Sequence, residues 1–172
     1  MPTNRDAEFM AFVRERSLAL RRTAFLLCGD WSNGDDLVQE ALAKVYVAWP
    51  RIGAQQAAFS YTRTTMLRTY LNEKRKWRRE ITLDEVPEHP TDDRDTALTV
   101  TLSGLLRELP SKQRAVLVLR FYQDLSVPQI AAELGVPEGT VKSQISRGLA
   151  AMRTQLADEL PRNHDDTTEV TS

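Results

Sequence analysis

Apolar residues recur every three to four positions along most of the chain, and no stretch alternates with a period of two. The sequence therefore predicts helices and no sheet. A first helix is expected over residues 9–27, with Phe9, Phe12, Val13, Leu20, Ala24 and Leu27 on its core side. A loop over residues 29–34 leads to a second helix, which Asp36 is expected to cap while Gln39 completes a capping box. Its apolar stripe runs Leu37, Val38, Ala41, Leu42, Val45, Tyr46 and Trp49, and Pro50 ends it. A third helix is predicted from about Ala57 to Arg79, burying Phe59, Met66, Leu67, Tyr70 and Leu71.

The period then fails. Residues 81–97, ITLDEVPEHPTDDRDTA, hold two prolines and a run of acids, and read as a linker. Beyond it Leu98, Leu102, Leu105, Leu106 and Leu109 mark another helix, and Pro110 and Ser111 open one containing Val116, Leu117, Leu119, Phe121 and Tyr122. Residues 161–172 carry almost no apolar side chains and are expected to be a disordered tail. The expected fold is all-α, with one small helical domain over residues 9–80, a second over 98–160, and a flexible acidic linker between them.

Residues 125–149, LSVPQIAAELGVPEGTVKSQISRGL, carry the most information. Ser126 and Gln129 form a capping box, and Val127, Ile130, Ala131 and Leu134 follow as one apolar stripe. Gly135 can leave a helix at positive φ, and Pro137 suits the first turn of the next. There Val141, Ile145, Leu149 and Met152 form the buried face, leaving Lys142, Ser143, Gln144, Ser146 and Arg147 outside. A plain helical hairpin shares the stripe. The short glycine turn and the outward basic and amide groups favour a helix-turn-helix that enters the major groove of DNA.

Composition narrows the classes. A chain of 172 residues with 41% hydrophobic and 27% charged residues suits one medium domain or two small ones. It has no apolar run of membrane-spanning length and no signal-peptide layout at MPTNRDAEF, so a cytoplasmic protein is expected. Cys28 is the single cysteine and sits among Phe25, Leu26 and Leu27, where a small buried side chain is the expected role. With His89 and His164 as the two histidines, no metal cluster and no cofactor are expected. The net charge of −1 is low for a free DNA binder, because neutralising phosphates supplies most non-specific affinity. The acids concentrate in the linker and the tail, and the cations cluster elsewhere.

One such cluster is residues 74–79, KRKWRR, five positive charges around Trp77, with Tyr61, Arg63, Arg68, Tyr70 and Asn72 upstream. Cations interleaved with stacking aromatics are the components of single-strand binding, while a solvated helix end with buried aromatics would read the same. Asp35 and Asp36, with Gln39 and Glu40 one turn on, suit a helix N-terminus, and equally a docking face for another protein.

Three stretches resemble the extracytoplasmic-function (ECF) sigma factors of bacterial RNA polymerase, over about residues 9–156. GDDLVQEALAKVYVAW is similar to that family's polymerase-binding helix. FSYTRTTMLRTYLNEKRKWRRE is similar to its segment for melting and reading the −10 element. LRELPSKQRAVLVLRFYQDLSVPQIAAELGVPEGTVKSQISRGLAAMR is similar to its −35-reading domain. The basic tryptophan-containing run is similar to the SigE-like branch. The resemblance implies that residues 9–80 are sigma region 2 and residues 98–160 sigma region 4. It implies that Asp35, Asp36, Leu37, Gln39 and Glu40 contact core RNA polymerase. Tyr61, Arg63, Asn72, Arg75, Lys76, Trp77 and Arg78 would serve the −10 strand, and Thr140, Lys142, Ser143, Gln144 and Arg147 the −35 duplex. An anti-sigma factor is a further implied partner; a membrane and a small-molecule substrate are not.

The expected function is promoter recognition and transcription initiation together with core polymerase. A free-standing helix-turn-helix regulator would leave the N-terminal half without a purpose. A nucleic-acid enzyme would need a metal set, a nucleophile triad or a phosphate loop, and none is visible. A helical interaction module such as an anti-sigma protein would not need the KRKWRR run.

Overall fold

The computed structural model of the chain describes residue 1 and residues 3–52, 55–72 and 93–159. Every regular element among them is helical. In chain order these are α1 (Asn4–Cys28), α2 (Trp31–Ala48), a 3₁₀ turn (Trp49–Arg51), α3 (Gln55–Asn72), α4 (Asp93–Arg107), α5 (Ser111–Leu117), a π-helical turn (Val118–Tyr122), α6 (Val127–Leu134) and α7 (Glu138–Glu159). The expected tail, most of the expected linker and the KRKWRR run lie outside the described residues.

Local chemistry moves several boundaries from where the periodicity put them. Helix α1 begins well before Phe9, because Thr3 caps it in a reciprocal box with Asp6. Helix α2 begins at Trp31, inside the expected loop. Its cap is Asp30, whose carboxylate accepts the Asn33 N–H at 2.8 Å, so Asp36 lies inside the helix and caps nothing. Gly34, which reads as a loop residue, is a crossing point: a Cβ there would sit 3.2 Å from the Phe25 backbone nitrogen. Helix α4 starts at Asp93, within the expected linker; carboxylates complement a helix N-terminus, so a run of acids does not argue against one. Pro137 stands just outside α7 and offers its carbonyl to the Thr140 and Val141 N–H groups.

The two halves of the chain pack on one continuous core. Leu20, Leu26, Leu27, Leu37, Met66, Leu67 and Tyr70 from α1–α3 join Leu106, Val116, Leu119, Ile130 and Val141 from α4–α7. Phe12, Val45, Trp49 and Ala58 form a smaller cluster, with the Phe9 ring edge-on to Trp49 at 5.3 Å. Hydrogen bonds tie the halves as well: Arg114 Nη1 donates to the Leu27 carbonyl at 2.6 Å, Arg107 donates to the Gly29 carbonyl, and Gln123 donates to the Thr23 hydroxyl at 2.7 Å. The arginines thereby satisfy carbonyls that the last turn of α1 leaves open.

Candidate DNA and polymerase interfaces

The helix-turn-helix is built as its sequence predicts. The Ser126 hydroxyl accepts the Gln129 N–H at 3.3 Å, and Gln129 Oε1 accepts the Ser126 N–H at 2.8 Å. Gly135 adopts φ 65°, and the Val136 N–H closes on the Ala131 carbonyl at 3.1 Å, ending α6. Ile130 and Val141, both fully buried, hold α6 against α7. This arrangement leaves Thr140, Lys142, Ser143 and Arg147 exposed along one side of α7, while Gln144 is half-buried. Beside them Arg120, Lys142 and Arg153 rim an open groove floored by Val127, Ile145 and Leu149. A surface of this kind offers Arg and Lys to base edges and phosphates.

Gly148 has a structural reason. A Cβ there would lie 2.9 Å from Leu117 Cδ1, so the glycine lets α7 press onto α5. Its intrinsic helix cost accompanies a close approach that an added methyl group would meet only by displacing the Leu117 side chain.

On α2 the acids and amides do form a strip. Asp35, Asp36, Gln39 and Glu40 recur at spacings of three to five residues; Asp36 and Gln39 are exposed, and Asp35 and Glu40 half-exposed. Arg21 clasps Asp35 through two bonds, Nε to Oδ1 at 2.7 Å and Nη2 to Oδ2 at 3.0 Å, and this pairing raises the Arg21 pKa. Lys44 bonds Glu40 and the Thr69 hydroxyl, both at 2.9 Å. Leu37 is wholly buried. It anchors the helix and offers no surface to a partner.

The −10 set is divided. Tyr61 is 46% exposed, whereas Arg63, two residues on and facing another side of α3, is 9% exposed. Asn72 is exposed at the end of α3, and Arg75, Lys76, Trp77 and Arg78 lie outside the described residues. Arg63 forms an ion pair with Glu133 of α6. Sequence reading missed Glu133, because nothing local marks one glutamate in a helix as the partner of an arginine 70 positions away. Cys28 is partly buried against the core, and this burial pushes its thiol up to about 12.

By fold this is a helical protein carrying a helix-turn-helix whose second helix leaves Thr140, Lys142, Ser143 and Arg147 exposed. Residues 12–80 match the family described as Sigma-70 region 2, and residues 100–152 match Sigma-70, region 4. Over 156 residues the chain is 38% identical to the RNA polymerase sigma-E factor of Streptomyces coelicolor, covering 87% of this chain and 86% of that one. It is 30% identical to the ECF RNA polymerase sigma factor SigL of Mycobacterium tuberculosis, covering 86% and 88%. In structure it is similar to the sigma factor RpoE of Bartonella quintana, solved in complex with the anti-sigma factor NepR, at a TM-score of 0.62 and 25% identity over 87% of this chain and 98% of that one. CnrH, solved with the cytosolic domain of CnrY, shares the fold at a TM-score of 0.62 and 22% identity, covering 88% of each chain. The chain belongs to the sigma-70 family of RNA polymerase sigma factors, in its extracytoplasmic-function group.

Proposed function

We propose that the chain binds core RNA polymerase and directs it to promoters, with the exposed side of α7 reading the −35 element and α3 serving the −10 element. The observation that carries this is the solvent-facing row of Thr140, Lys142, Ser143 and Arg147 on a helix fixed by Ile130 and Val141. The strip of Asp35, Asp36, Gln39 and Glu40 is the polymerase-docking face; its distance along the chain from the helix-turn-helix lets one protein hold enzyme and DNA together. The segment with Arg75, Lys76, Trp77 and Arg78 joins Tyr61, Arg63 and Asn72 in handling the opened strand. The protein performs no bond chemistry of its own and works in the cytoplasm. An anti-sigma factor is its natural antagonist, as NepR is for the Bartonella quintana protein it resembles in fold.

Run-off transcription with purified core polymerase and a promoter library is the test. The chain should give promoter-dependent transcripts; neither transcripts nor core binding would end the reading. Arg147→Ala should reduce discrimination at one −35 position by roughly 5- to 150-fold, the range of one good base contact, with core affinity unchanged. Asp36→Ala should weaken core binding and leave −35 preference intact. If the two variants exchange phenotypes, the faces are assigned the wrong way round.

A further inference from the structure

The four polar side chains of the strip on α2 are held differently. Both oxygens of Asp35 are taken by the Arg21 fork, Nε to Oδ1 at 2.7 Å and Nη2 to Oδ2 at 3.0 Å. Glu40 gives one oxygen to Lys44, at 2.9 Å. Asp36 and Gln39 stand exposed and, among the described residues, bond no other side chain. The Arg21 guanidinium also lies 5.6 Å from the centre of the Trp31 ring, which stacks on Phe25 at 4.2 Å. Trp31 and Asp35 are one turn apart on α2, so Arg21 of α1 grips two successive turns of its neighbour. Resting on the reading of this strip as the polymerase-docking face, we propose that Arg21 and Asp35 are its positioning residues. They set the rotation of α2 on α1, and the charge that meets polymerase at this end is that of Asp36.

The grip falls beside the crossing of the two helices. At Gly34 an added Cβ would lie 3.2 Å from the Phe25 nitrogen and 3.3 Å from the Ala24 carbonyl carbon, so the backbones meet with no side chain between them. Such a crossing fixes the distance between the helix axes and leaves their rotation to the side chains alongside. Arg21 stands one turn before Phe25, and Asp35 directly follows Gly34, so their bond acts at the edge of this pivot. A carboxylate that accepts both prongs of a guanidinium is neutralised and has its lone pairs directed at the fork. A cation on polymerase would have to displace Arg21 before it could bond Asp35, and Asp36 makes no such pair. The pair is partly open to water, at 27% and 40% exposure, so it supplies direction more than strength.

The test is the affinity of the full-length chain for purified core polymerase, measured by surface plasmon resonance over a range of salt, with helical circular dichroism as the check of folding. Asp35→Arg and Arg21→Asp should each weaken binding about tenfold or more, since each sets like charges against one another. The exchange Arg21→Asp/Asp35→Arg should recover to within about threefold of native, because the internal pair is rebuilt with its signs reversed. If the exchanged chain folds and binds no better than Asp35→Arg, Asp35 touches polymerase itself and the proposal falls. Asp35→Asn, which keeps the side-chain shape, decides the matter should the exchange not fold. It should weaken binding about two- to fivefold, the worth of one exposed pair, and leave the salt dependence as in the native chain. Asp36→Asn should flatten that dependence, because it removes a charge that faces the partner. A flattened dependence for Asp35→Asn, or native affinity for it, would overturn the positioning role. Core binding by Asp36→Ala tests the docking face separately: native affinity there would remove the face from α2, whatever Arg21 and Asp35 do.

Discussion

The two helices proposed to meet DNA are presented in opposite ways. Along α7 the residues that suit base and phosphate contact stand in solvent, held from behind by Ile130 and Val141. Along α3 the arginine that suits phosphate contact is turned inward and paired with Glu133. The difference comes from what each helix has at its back. Helix α7 has a dedicated neighbour in α6, joined through a tight turn, and needs nothing from the N-terminal half to hold its orientation. Helix α3 packs on α2 and α1 and, on its remaining side, on α5 and α6. A near-neutral chain with one open and one closed candidate DNA surface is expected to bind DNA poorly alone.

The largest effect expected concerns the shared core. Ile130 is fully buried where α6 meets both α7 and the N-terminal half. Ile130→Ala should cost about 2–5 kcal/mol, the usual range for such truncations. In urea the fluorescence of Trp31, Trp49 and Trp77, all in the N-terminal half of the sequence, should shift in midpoint together with the helical circular dichroism signal. If the tryptophans keep their native midpoint while part of the helix signal is lost early, the halves fold independently and the contrast between them is one of two separate modules.

A glycine pair tests the second half of the comparison, the fixed seating of α7. Gly104 in α4 is exposed and has nothing within 4 Å of an added Cβ, whereas Gly148 in α7 has Leu117 at 2.9 Å. Gly104→Ala should stabilise the chain by up to about 1 kcal/mol through helix propensity alone. Gly148→Ala should instead destabilise by about 1–3 kcal/mol, because overpacking outweighs that gain. Equal and favourable effects at both sites would mean that α7 can shift on α5 without cost, and that its reading face is less fixed than the packing indicates.

These residues also mark how far the sequence could be read. The helix-turn-helix was legible nearly to the residue, because its signals are local: Ser126 with Gln129, Gly135, and a stripe at helical spacing. The start of α2 was not. Asp30 and Asp36 are both plausible caps, and only the packing of Gly34 on α1 decides for the earlier one. The start of α4 was hidden in the same way, since acids near a helix N-terminus and acids in a linker look alike in composition. Of the candidate site residues, Asp36, Gln39, Tyr61, Asn72, Thr140, Lys142, Ser143 and Arg147 are exposed as a contact requires. Leu37 and Arg63 are not, for different causes. Leu37 lies on the apolar stripe of α2, so periodicity already gave it to the core, whereas Arg63 is covered by Glu133, and periodicity carries no information about a contact 70 positions away.

The smallest effect lies where the halves meet at the end of α1. Cys28 packs against the common core, and Arg114 of α5 reaches past it to the Leu27 carbonyl. Burial, with a smaller contribution from Asp30, raises its thiol from an ordinary 9.0 to about 12. The folded chain therefore holds a proton that the unfolded chain releases near pH 9, so the associated stability is complete below pH 9 and lost as pH rises toward 12. At pH 10 the loss should be on the order of 1 kcal/mol, and Cys28→Ala should remove that part of the pH dependence while other titrating groups act equally on both proteins. Urea midpoints of the two proteins at pH 8 and pH 10 measure it.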